Sequence, residues 1–458
     1  MSGKYTRRRF VSHGCLSLAG MVLGSQAACA RLTRPTPQQP KITLKVSLDL
    51  SSLLSLSTLQ QRGRLYGEFL APFEAAHPSI RLQLVEYITK TQDMEAAIVS
   101  GSAADVFSNP GAQYPGFYQS GLLLALDAYM RRDHVDSSIW SPPLIASYQT
   151  PQGTTFALPR NLNAFLYLVR LDVLDGMGIP YPSTDWTDIE LTTLAGQLTI
   201  PQQRVGLSLQ PGFLDFPAPL RGFGGSWTNA ARTKETLATS AGDQAGEWLF
   251  EGLIWPGYAS SGSPPSNQQP AVIQEVQTNS LLNLYQAMSA GSQWALYPPP
   301  LYPQGRFCNA ASAFWAINAT TPQPEASWTL LQWLAVDPSF QRNMMKSFLF
   351  PPALTSLFSE WTADIEAIAP GMTGKGLRWI EEAASQGWWV LPPYFAYDSV
   401  SALYTAFGDV WTQLLQDKVS VPLAFASADQ QVDAIVAAGA QAPAVTINSL
   451  RSKLEPSG

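Results

Sequence analysis

Residues 42–48, ITLKVSL, decide the fold: Ile42, Leu44, Val46 and Leu48 alternate with Thr43, Lys45 and Ser47. A period of two sets the apolar side chains on one face, which is a strand with one side buried. Downstream the period changes. Leu65, Tyr66, Phe69, Leu70 and Phe73 recur at helical spacing, and His77-Pro78 stops that helix. Ile80, Leu82 and Leu84 alternate again; Met94, Ala97 and Ile98 make a short helix ending near Gly101; residues 104–107, ADVF, make another short strand. Strand, helix, strand, helix, strand in that order requires parallel pairing, so the chain is α/β with helices on both faces of a sheet.

The rest of the chain extends the pattern. Residues 157–169 are mostly apolar and run across Pro159. Residues 186–198 and 281–288 read as helices, 261–270 (SGSPPSNQQP) as a polar loop, and Pro298-Pro299-Pro300 as a break. Residues 325–336 are a strongly amphipathic helix opened by Thr321-Pro322, with Trp328, Leu331 and Ala335 on one stripe and Leu330 and Leu334 beside it. At 458 residues there is room for two or more domains, each with its own core. The 36 prolines and 33 glycines are scattered, so they punctuate many short elements.

Residues 1–30 read as an export signal. Lys4, Arg7, Arg8 and Arg9 come first, then apolar residues 15–23, then small residues GSQAACA. Thr6-Arg7-Arg8-Arg9-Phe10-Val11 resembles the twin-arginine motif, so a periplasmic or cell-surface location is expected. Two cleavage readings stand open. Gln26-Ala27-Ala28-Cys29 resembles a lipobox that would leave Cys29 acylated; Ala28-Cys29-Ala30 equally fits an A-x-A site that releases the protein. Residues 31–40, RLTRPTPQQP, would be the tether or linker.

Composition excludes several functions. A formal net charge of -6 leaves no basic field for nucleic acid. Beyond the signal no apolar run is long enough to span a bilayer, so contact with a membrane is expected only through a lipid anchor. Cys15, Cys29 and Cys308 form neither a zinc motif nor a disulfide framework. No P-loop occurs, and Gly222-Phe223-Gly224-Gly225-Ser226-Trp227 has tryptophan where a dinucleotide fingerprint needs its third glycine. With the signal removed only His77 and His134 remain, so neither a catalytic triad nor a histidine metal site can be assembled. No cofactor and no metal are expected. Carboxylates are plentiful, which keeps a two-carboxylate glycosidase open by count, though no pair stands out.

Several stretches, in order, resemble the extracellular solute-binding proteins of bacterial ABC importers, in the sugar-binding class that includes maltose-binding protein. They are residues 105–127 (DVFSNPGAQYPGFYQSGLLLALD); residues 156–174 (FALPRNLNAFLYLVRLDVL), followed by Gly178-Ile179-Pro180 and Trp186; residues 287–294 (AMSAGSQW); residues 313–318 (AFWAIN); and residues 391–407 with Pro392-Pro393-Tyr394-Phe395. Leu168-Val169-Arg170 stands where the family has Tyr-Asn-Lys. The resemblance implies the type II periplasmic-binding-protein fold: two α/β lobes joined by crossover strands, with solute held between them and hinge closure around it. Crossings are expected near 157–159, 305–307 and 350–352. Lobe 1 would then be 41–158 plus 306–350, and lobe 2 would be 159–305 plus 351–458.

The implied function is capture of a solute, a mono- or oligosaccharide, by a non-catalytic monomer that passes it to the permease subunits of an ABC transporter. The alternatives are a secreted carbohydrate-active enzyme with a carboxylate pair, and a surface-anchored sugar sensor or scaffold. A sugar site needs apolar faces for ring C–H surface and polar edges for hydroxyls. By the resemblance Trp294 would stack on the sugar, Asn109 would lie in a cleft loop, and Phe213 and Asp215 would lie in a cleft segment, QPGFLDFP, with Trp227 on the same wall. Tyr394 and Phe395 fit the late aromatic segment. Asp49 ends the first strand and could meet hydroxyls. Arg160 and Arg306 sit at two crossings, where they would either bind an anionic group or pair with a nearby acid.

Overall fold

A computed structural model describes residues 42–48, 66–85, 88, 91–109, 118, 121–264, 266–287, 292–348, 351–369, 376–391 and 400–441. The alternating segment is strand β1 (Ile42–Ser47), with Leu44 and Val46 fully buried. It pairs in parallel with β2 (Ile80–Leu84), Leu44 opposite Leu82, and on its other side with β3 (Val106–Asn109), Val46 opposite Val106. The helix between β1 and β2 starts as a wide π turn, Tyr66–Leu70, and continues as Ala71–Ala76; the His77 N–H closes it on the Phe73 carbonyl at 2.8 Å. The helix Thr91–Val99 crosses from β2 to β3, and Gly101, at φ 74°, turns the chain after it.

Two further strands complete this sheet. β4 (Leu158–Pro159) and a strand from far along the chain, Phe314–Ile317, give the order β2-β1-β3-(Phe314–Ile317)-β4. The second sheet is built on β5 (Asn163–Arg170). β6 (Leu207–Leu209), β7 (Ala259–Ser261) and β8 (Ile273–Gln277) lie to one side of it, with β8 antiparallel to β5. β9 (Trp294–Tyr297) also pairs with β5. A hairpin, β10 (Leu301–Tyr302) and β11 (Gly305–Arg306), leads into β12 (Cys308–Ala311), which pairs with β5 through Ala310 and Ala164. Phe314–Ile317 is therefore β13, and β14 (Trp389–Val390) runs parallel to β12 at the sheet's edge.

The chain thus passes from the first sheet to the second at residues 160–162 and returns at 312–313. Residues 305–307, expected to be the return, instead end the β10–β11 hairpin and enter β12. A third segment runs alongside: the Leu162 N–H donates to the Pro351 carbonyl at 3.4 Å, and Asn161 bridges Pro352.

One core fills the first sheet, where Val106, Phe107, Trp315 and Ile317 meet Trp328, Leu330, Leu331 and Leu334 of the helix Pro324–Ala335. It continues onto the face of the second sheet that carries Leu166, Leu168, Val276 and Leu296, under Leu377 and Ile380 of the helix Gly376–Gln386. The next residues along β5, Tyr167 and Val169, point to the opposite face. There a second core forms with the helices Asp188–Leu198, Val400–Thr412 and Val421–Gln441. β5 is buried on both faces, which is why residues 157–169 show no alternation. The helix expected at 186–198 begins at Asp188 because Thr187 caps it and Glu190 completes a capping box. Among the described residues Cys308 is a free, buried thiol.

Candidate functional site

Ligands of open α/β sheets bind outside the carboxyl ends of the strands. Here those ends converge on the passages. β3 ends at Asn109, opposite Phe314, the first residue of β13 after the return passage. β8 ends at Gln277, opposite Phe165, and the Thr278 hydroxyl accepts the Ala164 N–H at 3.0 Å, just after the outward passage.

The floor between these ends is polar. Arg160 is buried and its Nη1 donates to Ser108 Oγ at 2.7 Å; its guanidinium lies 5.9 Å from the centre of the Trp315 ring. Asn161 binds the passages together: its Oδ1 accepts the Ala313 N–H at 3.0 Å and its carbonyl accepts Ser312 Oγ at 2.6 Å. Asn163 is buried with a side-chain carbonyl that has no partner among the described residues. At the end of β6 the Gln210 N–H donates to Glu275 Oε2 at 3.1 Å, Gln210 Nε2 donates to the Glu275 carbonyl at 2.8 Å, and Gln277 Nε2 donates to Gln210 Oε1 at 3.4 Å. An edge of amides and one unsatisfied carbonyl can both donate to and accept from hydroxyl groups.

The segment after β6 returns under this edge as one 3-10 turn, Gly212–Asp215. Asp215 does not face the edge. It is buried, neither carboxyl oxygen has a hydrogen-bond partner among the described residues, and burial beside Glu275 pushes its carboxyl well above the usual range. Asn309 fixes the turn, donating to the Asp215 carbonyl at 2.8 Å and accepting the Ala218 N–H at 2.7 Å. Burial raises the Glu275 carboxyl to about 7, against the opposing effect of the bonds from Gln210 and Asn309.

The other expected site residues are dispersed. Trp294 opens β9 opposite Arg170, the last residue of β5, while Asn163 is the first. At roughly 3.3 Å per residue, that places it about 23 Å along the sheet from the passages. Its half-buried ring lies 5.4 Å from the Arg170 guanidinium, and its Nε1 donates to Ser292 Oγ at 3.1 Å. Trp294 is thus part of a paired strand. Trp227 packs edge-on to Phe216 and Phe407 at 5.8 and 5.1 Å in the second core and also lines the cavity described below. Arg306 donates to the Thr184 carbonyl at 2.6 Å and pairs with Asp185 at 3.3 Å. The backbones of Asn109 and Phe213 lie at the ends of β3 and β6; their side chains, and all of Asp49, Tyr394, Phe395 and Cys29, lie outside the described residues.

Sequence reading missed Asn163, Gln210, Glu275 and Gln277. The signal was present in part: Asn161 and Asn163 are polar interruptions of an apolar run, and Glu275 stands between Ile273 and Val276 in a buried strand.

A cavity of about 360 Å³ lies against β14, between the helix Pro142–Ala146 and the helix Pro217–Gly222. Its lining joins Pro143, Ala146 and Ser147 on the first-sheet side to Pro217, Leu220, Arg221 and Trp227, which follow the turn after β6, on the second-sheet side.

A family model described as bacterial extracellular solute-binding protein matches residues 68–370. Three solved structures show the same fold. The cyclic α-maltosyl-1,6-maltose binding protein of Arthrobacter globiformis has a TM-score of 0.70 at 15% identity, covering 87% of this chain and 99% of its own. An ABC substrate-binding protein of Listeria monocytogenes, solved with cycloalternan, has 0.66 at 17%, covering 87% and 99%. UgpB of Mycobacterium tuberculosis, solved with glycerophosphocholine, has 0.65 at 17%, covering 82% and 96%. At these identities the likeness establishes the two-lobed α/β architecture.

Proposed function

The chain belongs to the bacterial extracellular solute-binding protein family, and on that premise we propose that it captures a saccharide at the facing strand ends and delivers it to the permease of an ABC importer. The observation that carries the saccharide is the amide edge at the passages. Gln210 and Gln277 stand at the ends of β6 and β8, and Asn163, at the start of β5, carries a side-chain carbonyl with no partner among the described residues; these are groups suited to hydroxyls. Asp49, Asn109, Phe213, Tyr394 and Phe395 join this reading by their places in the chain, next to strand ends or in the late aromatic segment. The cyclic α-maltosyl-1,6-maltose binding protein and the substrate-binding protein solved with cycloalternan agree with it.

Capture of this kind works by hinge closure about the passages. The protein acts as a monomer and without turnover; among the described residues, Asp215 is buried and Glu275 is bonded to Gln210. Export follows the twin-arginine route directed by Arg7 and Arg8, with Cys29 as lipid anchor and residues 31–40 as tether. Among the described residues no helix is long and apolar enough to cross a membrane.

Thermal-shift screening of the exported domain against mono- and oligosaccharides tests the reading. A ligand at about 100 times its dissociation constant adds roughly 2.7 kcal/mol to native stability. The expected result is a saccharide that raises the melting temperature in the wild type and not in Asn163→Ala. Stabilisation by other solutes and by no saccharide would overturn the solute class.

A further inference from the structure

Between the helix Pro217–Gly222 and the helix Ser240–Gly246 the second lobe carries a strap, residues 226–238, that reaches the first lobe. Its two arms are tied together. Thr228 bridges Glu235, the Thr236 N–H donates to the Trp227 carbonyl at 3.1 Å, and Thr236 Oγ1 donates to the Ser226 carbonyl at 2.7 Å. Asn229 fixes the turn: its Oδ1 accepts the Thr233 N–H at 2.9 Å and its carbonyl accepts the Arg232 N–H at 2.9 Å. The root is clamped to the helix Val421–Gln441, where Asp433 Oδ1 accepts the Glu235 N–H at 3.2 Å and Asp429 Oδ1 accepts the Leu237 N–H at 3.2 Å.

At the tip Arg232 takes φ 56°, the left-handed region that a residue with a β-carbon seldom occupies. Backbone strain of that kind persists where the surrounding bonds over-determine it. Here they send the guanidinium across to the first lobe. Nη2 donates to the Ala146 carbonyl at 3.1 Å and Nη1 to the Gln149 carbonyl at 3.0 Å. Ala146 ends the helix Pro142–Ala146, and both acceptors precede β4 of the first sheet. A planar fork with separate N–H groups can hold two carbonyls at once, and its charge strengthens both bonds. The receiving turn is itself fixed: Tyr148 is buried, its carbonyl accepts the Phe156 N–H at 3.1 Å, and Gln149 Nε2 donates to Thr155 Oγ1 at 3.1 Å.

These bonds differ from those at the passages. The passages carry the axis of closure, so their own bonds can persist while the lobes turn. Neither Arg232 nor its two acceptors lies in a passage, and rotation of one sheet against the other must part them.

We propose that the strap is an inter-lobe latch: Arg232 holds the lobes together in the chain free of solute, so the closed arrangement is the resting one and opening has to break two charge-assisted bonds. The latch rests on the hinge closure of the proposed function and not on the identity of the solute. A bias toward closure also tightens the binding of a solute whose grip needs the closed arrangement.

Small-angle scattering of the exported domain, dialysed free of small molecules, tests the latch. The wild type is expected to show a radius of gyration of about 22 Å, that of a compact chain of this length. Arg232→Gly removes the fork and relieves the left-handed backbone, so the strap stays folded; it should give a larger radius. Arg221→Ala removes a neighbouring cation that, among the described residues, stacks on Phe307 and bonds no first-lobe carbonyl; it should match the wild type. The proposal is overturned if Arg232→Gly and the wild type scatter alike, or if Arg221→Ala expands the domain as much. Expansion accompanied by loss of circular dichroism is unfolding and also overturns it. A domain that expands with Arg232→Gly yet binds no saccharide keeps the latch and removes the solute class; one that binds a saccharide without expanding keeps the solute class and removes the latch.

Discussion

Replacing Glu275 with glutamine should flatten the pH dependence of stability. Glu275 is buried, and among the described residues no cation stands against it. The groups facing it are Asp215, Gln210, Asn309, Tyr167, Tyr302 and Cys308. Burial raises its carboxyl from an ordinary 4.5 to about 7. The folded chain therefore holds a proton over a range in which the unfolded chain has released it. Its contribution to stability is fully present below the unfolded value and is lost as pH rises through the folded one. A displacement of this size corresponds to about 3 kcal/mol in all, of which roughly 2.5 kcal/mol is lost between about pH 5 and pH 8. Glutamine has the same shape, stays neutral, and can still accept the Gln210 N–H. The difference in unfolding free energy between wild type and Glu275→Gln, from urea titrations across that range, should shift by about 2–3 kcal/mol in favour of the variant as pH rises. Asp215 acts in the same direction, so the wild type loses stability toward alkaline pH by more than this one residue accounts for. Parallel stability curves for the two proteins would refute the reasoning. A wild type that gains on the variant as pH rises would mean that Glu275 is ionised and held by a partner.

Other outcomes follow from the placements above. Trp294→Ala should lower stability by about 2 kcal/mol, less than a fully buried tryptophan costs, and leave solute affinity unchanged; calorimetry and urea unfolding separate the two. Gly206→Ala should prevent folding at physiological temperature, because its β-carbon would overlap the Ala195 carbonyl; soluble yield and circular dichroism report it. Arg7→Lys with Arg8→Lys should leave precursor in the cytoplasm, and Cys29→Ser should abolish lipid labelling; normal export or labelling of these variants points to the general secretory route or to release after Ala30.

Local periodicity carried the first sheet because each element there is half-buried. β1 and β2 alternate, and the helix Pro324–Ala335 shows one apolar stripe, so burial is written in the spacing. The amphipathic helix was legible to within a residue at each end. The second sheet is different. β5 is enclosed by both cores, and an apolar run of that kind marks burial without marking partners. The position of Trp294 depends on the register between β9 and β5, and that register is set by strands more than a hundred residues apart. Motif order placed Trp294 beside a sugar; pairing places it at the far end of the strand. The buried pair Asp215 and Glu275 was invisible for a related reason: nothing in QPGFLDFP marks Asp215 as turned inward. Asn309, which holds the turn, comes 94 residues later.

The polar bonds at the passages bear on how the lobes move. Asn161 bonds Ser312 and Ala313, the Arg160 N–H donates to the Ala313 carbonyl at 2.8 Å, and Leu162 donates to Pro351. These bonds join the three passages to one another, so the segments move as one bundle and the φ/ψ change of closure must be taken up at its two ends. At one end Arg160 holds Ser108, the penultimate residue of β3; at the other Thr278 holds Ala164, just inside β5. Each of these side-chain bonds links the bundle to a strand end that borders the proposed solute edge. A solute spanning β3 and β8 therefore pulls on the same two joints that bend. In this geometry small displacements at the edge become rotation of one sheet against the other, because the packed cores on either side cannot deform to absorb them.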